Sequence, residues 1–283
     1  MVGCRGPFHP LRAVLLVFLV LPLSGCTEAQ SDARDEDERS ATAGIPDDVV
    51  LDATGCREAG VLFFVDPQQA ARHLPSGYVP ADAQGLFGLP VASGRAAILV
   101  VLYHCEDAAI EGEALSAGEI DILIDAPDVP GADDDADNHF YQTIAHAMPG
   151  ELAVLLTLAD WPVVKGEQSL GIRANPAGLT TAHGTARDRT QVDHAFKVDA
   201  AVESRITGTN RFWHQNAYGV GHIDYTVDTT ALAGIAECSL REDSPAALVT
   251  GVTDCADAQT AGLVVPDVEW TGRFRWFPDV QAS

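Results

Sequence analysis

Val61-Leu62-Phe63-Phe64-Val65-Asp66-Pro67-Gln68-Gln69-Ala70-Ala71-Arg72-His73-Leu74-Pro75-Ser76-Gly77-Tyr78-Val79-Pro80 carries the punctuation from which the rest of the chain can be ordered. Its first five residues are β-branched, aliphatic or aromatic and end at turn formers, so they read as a buried strand. Asp66 is placed to cap a short helix, Pro67 suits its first turn, and Pro75 and Gly77 stop it. A second run of the same kind, Ala96-Ala97-Ile98-Leu99-Val100-Val101-Leu102-Tyr103, follows a turn at Gly94-Arg95.

Outward from there, further strands are expected over 119–124, 198–206, 219–227, 247–252 and 268–277. Residues 140–147 are a candidate second helix inside 137–158, a stretch that carries both periodicities and stays open between helix and strand. Strands separated by Gly, Pro and Asp clusters therefore dominate. This predicts a mainly β (α+β) domain: a large antiparallel sheet, cone-like or closed like a barrel, with a few short helices attached.

The segment 64–80, from Phe64-Val65-Asp66-Pro67 to Leu74-Pro75-Ser76-Gly77-Tyr78-Val79-Pro80, resembles the strand, short helix and Leu-Pro-x-Gly-aromatic-x-Pro stretch of acetoacetate decarboxylase-like proteins. The turn at Gly94-Arg95, the strand after it, and Gly118-Glu119-Ile120-Asp121-Ile122-Leu123-Ile124 resemble that family's paired central strands. The resemblance covers about a third of the chain and implies a β fold with an internal pocket. In the family a Lys forms a Schiff base with a β-keto acid, its pKa lowered by desolvation and a second cation. Trp161-Pro162-Val163-Val164-Lys165-Gly166-Glu167 occupies the corresponding region and makes Lys165 the candidate catalytic amine. The family's Gly-x-Pro-Lys order is missing there. Glu167 stands where a second cation would be wanted, and a carboxylate raises an amine pKa. Lys165 and Lys197 are the only two lysines.

At the other end, Arg5 and Arg12 precede the apolar run Ala13-Val14-Leu15-Leu16-Val17-Phe18-Leu19-Val20-Leu21, which leads into Pro22-Leu23-Ser24-Gly25-Cys26. The run is too short for a bilayer span and reads as a secretory signal. Leu23-Ser24-Gly25-Cys26 resembles the lipobox of bacterial lipoproteins, which implies acylation of Cys26 and a lipid bilayer as partner. The expected organisation is a signal peptide over 1–25, an acylated Cys and flexible acidic tether over 26–46, and one β-rich domain over 47–283. The expected place is the cell envelope. If the source has two membranes, Thr27 after Cys26 resembles the pattern of outer-membrane lipoproteins, facing the periplasm or the cell surface.

A formal net charge of −24 with 17 basic residues argues against nucleic acid, which needs clustered Lys and Arg. With Cys4 in the signal and Cys26 acylated, Cys56, Cys105, Cys238 and Cys255 remain, and an even number in an exported domain favours disulfides. Of the three pairings, Cys56 with Cys105 and Cys238 with Cys255 is preferred. No Cys-x-x-Cys spacing supports zinc, and Asp133-Asp134-Asp135-Ala136-Asp137-Asn138 lacks the Gly and the bidentate Glu of an EF-hand, so no metal is expected. Nor is a cofactor. Hydrolase elbows, zinc-protease helices and phosphate loops are absent from the sequence.

The richest polar and aromatic stretch is Arg211-Phe212-Trp213-His214-Gln215-Asn216-Ala217-Tyr218-Gly219-Val220-Gly221-His222-Ile223-Asp224-Tyr225. As a hairpin turning within 216–221 it could set His214 opposite His222 with Asp224 nearby, or could simply present two packed strand faces. The expected function is a lipoprotein whose pocket binds a small apolar or carboxylic ligand without turnover. Phe63, Phe87, Trp161, Trp213 and Tyr218 are candidate walls, His214 and His222 candidate contacts, and Arg95 or Arg211 candidate carboxylate clamps. A Schiff-base lyase using Lys165 and a structural envelope protein are the alternatives. Nothing in the sequence specifies an oligomeric state.

Overall fold

The computed structural model describes residues 48–108, 113–130, 132, 135–147, 156–157, 160–188 and 191–283. The expected signal segment, Cys26 and the tether lie outside these residues, as do Asp133 and Asp134 of the acidic loop. Nine strands are described: β1 (Asp48–Val65), β2 (Ala96–Ala108), β3 (Glu113–Ile124), β4 (Asn138–Ala147), β5 (Val163–Ala174), β6 (Thr180–Asp188), β7 (Gln191–Asn216), β8 (Gly219–Leu240) and β9 (Gln259–Pro278). They close into a ring in sequence order, β9 pairing back onto β1. Helix is confined to α1 (Pro67–Ala71), α2 (Pro245–Thr250), two 3-10 turns and residues 156–157 among the described residues. The mainly β architecture matches the expectation.

Most pairings are antiparallel, and the exceptions build the interior. The start of β4 runs parallel to β7, from Asn138 beside Asn210 to Tyr141 beside Trp213, while its end runs parallel to β5. β1 to β4, the second half of β7, the first half of β8, and β9 therefore enclose a smaller ring. The remaining halves of β7 and β8 continue with β5 and β6 into a sheet whose inner face contributes Ala182, Ala186, Phe196, Val198 and Ala236 to one apolar cluster. That cluster also takes in Val61 and Phe63 from β1, Ile98 and Val100 from β2, and Ile120 and Ile122 from β3. The strands β1 to β3 are consequently buried on both faces, because alternate residues point to opposite sides.

Helix α1 forms as its punctuation predicts, with the Asp66 carboxylate accepting from Gln68 N at 2.8 Å. Two local expectations are corrected. Residues 140–147 belong to β4, because pairing to β3, β5 and β7 outweighs their weak helical period. The expected strand over 247–252 lies mostly in α2: Ser244 Oγ accepts from Ala247 N, Pro245 opens the helix, and Gly251 closes it at φ +77°. Strands β5 and β6 were not anticipated.

Both preferred disulfides are present. Cys56–Cys105 ties β1 to β2 across 49 residues, and Cys238–Cys255 ties β8 to a 3-10 turn across 17. A typical loop of that shorter length gains ~3 kcal/mol from cross-linking.

Candidate functional site

Glu58, Gly60, Leu99, Val101, Tyr103, Glu119, Phe140, Phe212, Tyr225, Leu263 and Trp270 share the inward face of the smaller ring, and between them lies a cavity of about 110 Å3. It is lined from β1, β2, β3, β4, β7, β8 and β9, so it sits within the ring formed by the β4–β7 pairing. Two apolar clusters adjoin it: one joins the lining residues Tyr103 and Trp270 to Cys105, Trp161, Phe274 and Trp276, and the other joins Phe140 and Phe212 to Leu62, Phe64, Ala97 and Leu123. Gly60 lets β1 and β2 approach closely at the lining, since a Cβ there would meet Val100 O at 2.6 Å.

Three acids enter this interior. Glu119 is 6% exposed and accepts from the Tyr103 hydroxyl at 3.2 Å. Glu58 lies deep in the wall but borders the open volume, so part of its side chain stays accessible. Burial pushes its carboxyl up to about 7. Glu119 is pushed to about 7 as well, burial raising it and the Tyr103 and Gln142 hydrogen bonds holding it back. Asp121 stands two residues along β3 on the same face, fully buried, and neither of its oxygens has a hydrogen-bond partner in the structure. Burial, then the neighbouring Glu119, raises its carboxyl well above the usual range. The Tyr103 and Tyr225 hydroxyls, also raised by burial first and nearby acids second, remain donors. No basic side chain is among the described residues that line the cavity.

A turn covers one side. Gly85 and Gly88 have φ of +81° and +71°, and Phe87 between them is left-handed at +51°, a conformation that costs a residue with a side chain. Ser204 Oγ holds it by donating to Phe87 O at 2.5 Å, and the Phe87 ring stacks on Phe140 at 6.4 Å. Phe87 and Ile206 line both the cavity and an outer polar cleft that includes Asp82, Asn138 and Arg205. The Phe87 ring thus forms part of the partition between the two.

Of the residues proposed from the sequence, Phe87 lines the cavity and the others do not. Lys165 is exposed on β5, and Arg95 is exposed before β2. Phe63 is buried on the opposite face of β1, and Tyr218 is exposed at the β7–β8 turn. That two-residue turn sets Trp213 opposite His222 and His214 opposite Gly221, so the two histidines lie on opposite faces and not across from each other. His214 accepts the Trp161 ring at 4.8 Å, and its Nε2 lies 3.0 Å from Asp160 O. Trp161 donates to Gln142. On the other face, Arg211 is buried and grips Asp224 with Nε at 2.6 Å and Nη2 at 2.9 Å, and reaches Asp135 at 2.8 Å. His222 Nδ1 is 3.0 Å from the same Asp224, while Trp213 Nε1 donates to His139 at 3.1 Å. Burial would raise Asp224, but His222 and Arg211 together hold it well below the usual carboxylate range. Arg211 is therefore committed within the protein, which removes it as a carboxylate clamp. In the acidic loop Asp137 accepts from Thr209 N at 2.8 Å, and no group of three or more metal-ligating side chains occurs among the described residues.

The polar residues of the cavity escaped sequence reasoning. In Glu119-Ile120-Asp121-Ile122 strict alternation reads as a strand with one wet face, and only the closed ring turns that face inward.

No family model matches the chain, and no curated protein matches it significantly. Among solved structures, an acetoacetate decarboxylase-like enzyme from Sphingomonas wittichii RW1 aligns over 90% of this chain and 99% of its own, with a TM-score of 0.54 and 12% identity. The enduracididine biosynthesis enzyme MppR complexed with pyruvate aligns over 84% and 90%, with a TM-score of 0.52 and 12% identity. This chain has the acetoacetate decarboxylase-like fold.

Proposed function

We propose that the chain is a lipid-anchored cell-envelope protein whose acetoacetate decarboxylase-like barrel binds a small molecule noncovalently in its interior cavity. The observation that carries this reading is the lining itself: aromatic and aliphatic walls around the buried Glu119 and the half-buried Glu58, with no amine among the described lining residues. Pockets that hold small ligands combine such walls with a few fixed polar groups. A Schiff-base lyase needs a desolvated amine facing its substrate. Lys165 is exposed on β5, and Lys197 on β7 pairs with Asp199 of its own strand and Glu237 of β8, so neither lysine is placed for that role. The fold neighbour complexed with pyruvate holds a carboxylate. Here the lining acids would repel one, which replaces the expected carboxylic ligand with a neutral or positively charged one.

Anchoring rests on Leu23-Ser24-Gly25-Cys26 behind the apolar run, and diacylation at Cys26 would fix the domain to the envelope. Borohydride trapping of the soluble domain with acetoacetate and related β-keto acids, read by intact mass, tests the noncovalent reading: no adduct is expected, and an adduct on either lysine would establish the lyase. Alkyne-fatty-acid labelling of the full chain against Cys26→Ser tests the anchor, with label expected only on the chain that retains Cys26.

A further inference from the structure

The cavity brings together two features that belong to different ligand chemistries when found apart. One is a wall of π faces from Phe87, Phe140, Phe212, Tyr225 and Trp270, with the Tyr225 and Trp270 rings 4.8 Å apart and edge-on. The other is a set of acids without a cation: Glu58 and Glu119 line the space, and Asp121 beside them keeps both oxygens unpartnered while fully buried. The titratable groups facing this space are Glu58 from β1, Tyr103 from β2, Glu119 from β3 and Tyr225 from β8, with Asp121 of β3 behind the lining; β4, β7 and β9 contribute Phe140, Phe212, Asn210 and Trp270, none of them charged.

A hydrated metal ion suits neither the aromatic wall nor the ligand geometry, since no cluster of three or more candidate ligands occurs among the described residues. An anion would meet two carboxyls and no basic partner. A purely apolar molecule would leave the acids without the counter-charge that buried ions require. An organic ammonium satisfies both features at once, because its alkyl groups pack on ring faces that attract a cation, and its charge offsets a carboxylate. Size agrees. Cavities of ~150 Å3 accept a six-carbon ring, so about 110 Å3 suits an ammonium carrying a few methyl or methylene groups.

We infer that the interior cavity selects a small organic ammonium compound, held between the Glu58 and Glu119 carboxylates and the surrounding aromatic faces. This rests on the small-molecule-binding reading above and names its ligand class. Because the glutamates of the ligand-free cavity titrate near 7, binding an ammonium at lower pH expels a proton. Affinity should therefore fall up to tenfold per pH unit below 7 for each proton expelled, and level off above it.

Calorimetric titration of the full chain in detergent with choline and with its neutral carbon isostere 3,3-dimethylbutan-1-ol, at pH 6 and pH 8, separates the possibilities. Choline is expected to bind more tightly than the alcohol at pH 8, to weaken at least several-fold at pH 6, and to release protons detectable as a buffer-dependent heat. Glu119→Gln and Glu58→Gln should each cost choline at least tenfold while leaving the alcohol's affinity within a few-fold, which also reports that the variants are folded. Equal or tighter binding of the alcohol would overturn the ammonium inference and leave the small-molecule reading in place. Binding of neither would overturn both.

Discussion

The hairpin of β7 and β8 meets acids on both of its sides, its own Asp224 outward and those of β1 and β3 inward, and the two sides treat them in opposite ways. Facing away from the cavity, Asp224 is clamped by Arg211 and approached by His222, with Asp135 closing the other side of the guanidinium. Facing inward, Tyr225 and Phe212 border a space where Glu58, Glu119 and Asp121 meet no cation. A buried charge with its counter-charge in place has nothing further to bind, and such clusters are structural. Acids driven upward by burial with no counter-charge at hand mark the place where a ligand can supply what the protein does not.

The sharpest way to break this comparison is to remove the cation from the satisfied face. Arg211→Ala takes the buried guanidinium away from Asp224, which is 14% exposed and keeps His222 beside it, and loss of one partner of a buried pair costs roughly 3–5 kcal/mol. Chemical denaturation should register a loss of that size, and the cavity should be lost only with the fold. A change below about 1 kcal/mol would place Asp224 in an environment far wetter than the structure has it.

The inward face should respond in the opposite direction. Glu119 has a folded pKa of about 7 against an ordinary 4.5, so below the ordinary value its protonated form gives the folded state its full relative stability. As pH rises from 4.5 to 7 the unfolded chain has already released that proton, and the contribution is lost at up to ~1.4 kcal/mol per pH unit. Burial lowers His146 and His194, and between the folded and ordinary histidine values these groups make stability rise with pH, masking the effect in the parent protein. The difference between Glu119→Gln and the parent isolates it. That difference should be small at pH 4.5 and grow in favour of the variant until about pH 7, read as denaturation midpoints across the range. A flat difference would mean that Glu119 titrates as an ordinary carboxylate.

How much of this was legible beforehand follows from what each segment could express locally. Asp66-Pro67 and the stop at Pro75 and Gly77 are local chemistry, and α1 forms where they put it. The apolar runs of β1 and β2 are long enough to declare themselves, and the two preferred disulfides form although all four cysteines lie outside the strands read from the sequence. Ser244-Pro245 and Gly251 are equally plain caps, and α2 was missed because the apolar residues between them were weighed alone. Polar β5 and β6 exist because of what they pair with. The site was least legible of all. The aromatic and histidine-rich 211–225 drew attention by composition, yet its conspicuous Arg211, Trp213 and His222 pack away from the cavity, while Phe212 and Tyr225 of the same stretch line it. Which face of an alternating strand looks inward is decided by ring closure, and no window of sequence contains that.

The central claim, that the inward acids carry no counter-charge of the protein's own, is tested most directly by carboxyl carbon NMR on the domain labelled at glutamate, with Glu58→Gln and Glu119→Gln used to assign the two signals. Midpoints near 7 for both are expected in the ligand-free protein, well apart from the surface glutamates. Midpoints at the ordinary 4.5 for both would contradict the account, because acids that ionise as freely as surface groups have no need of a ligand's charge.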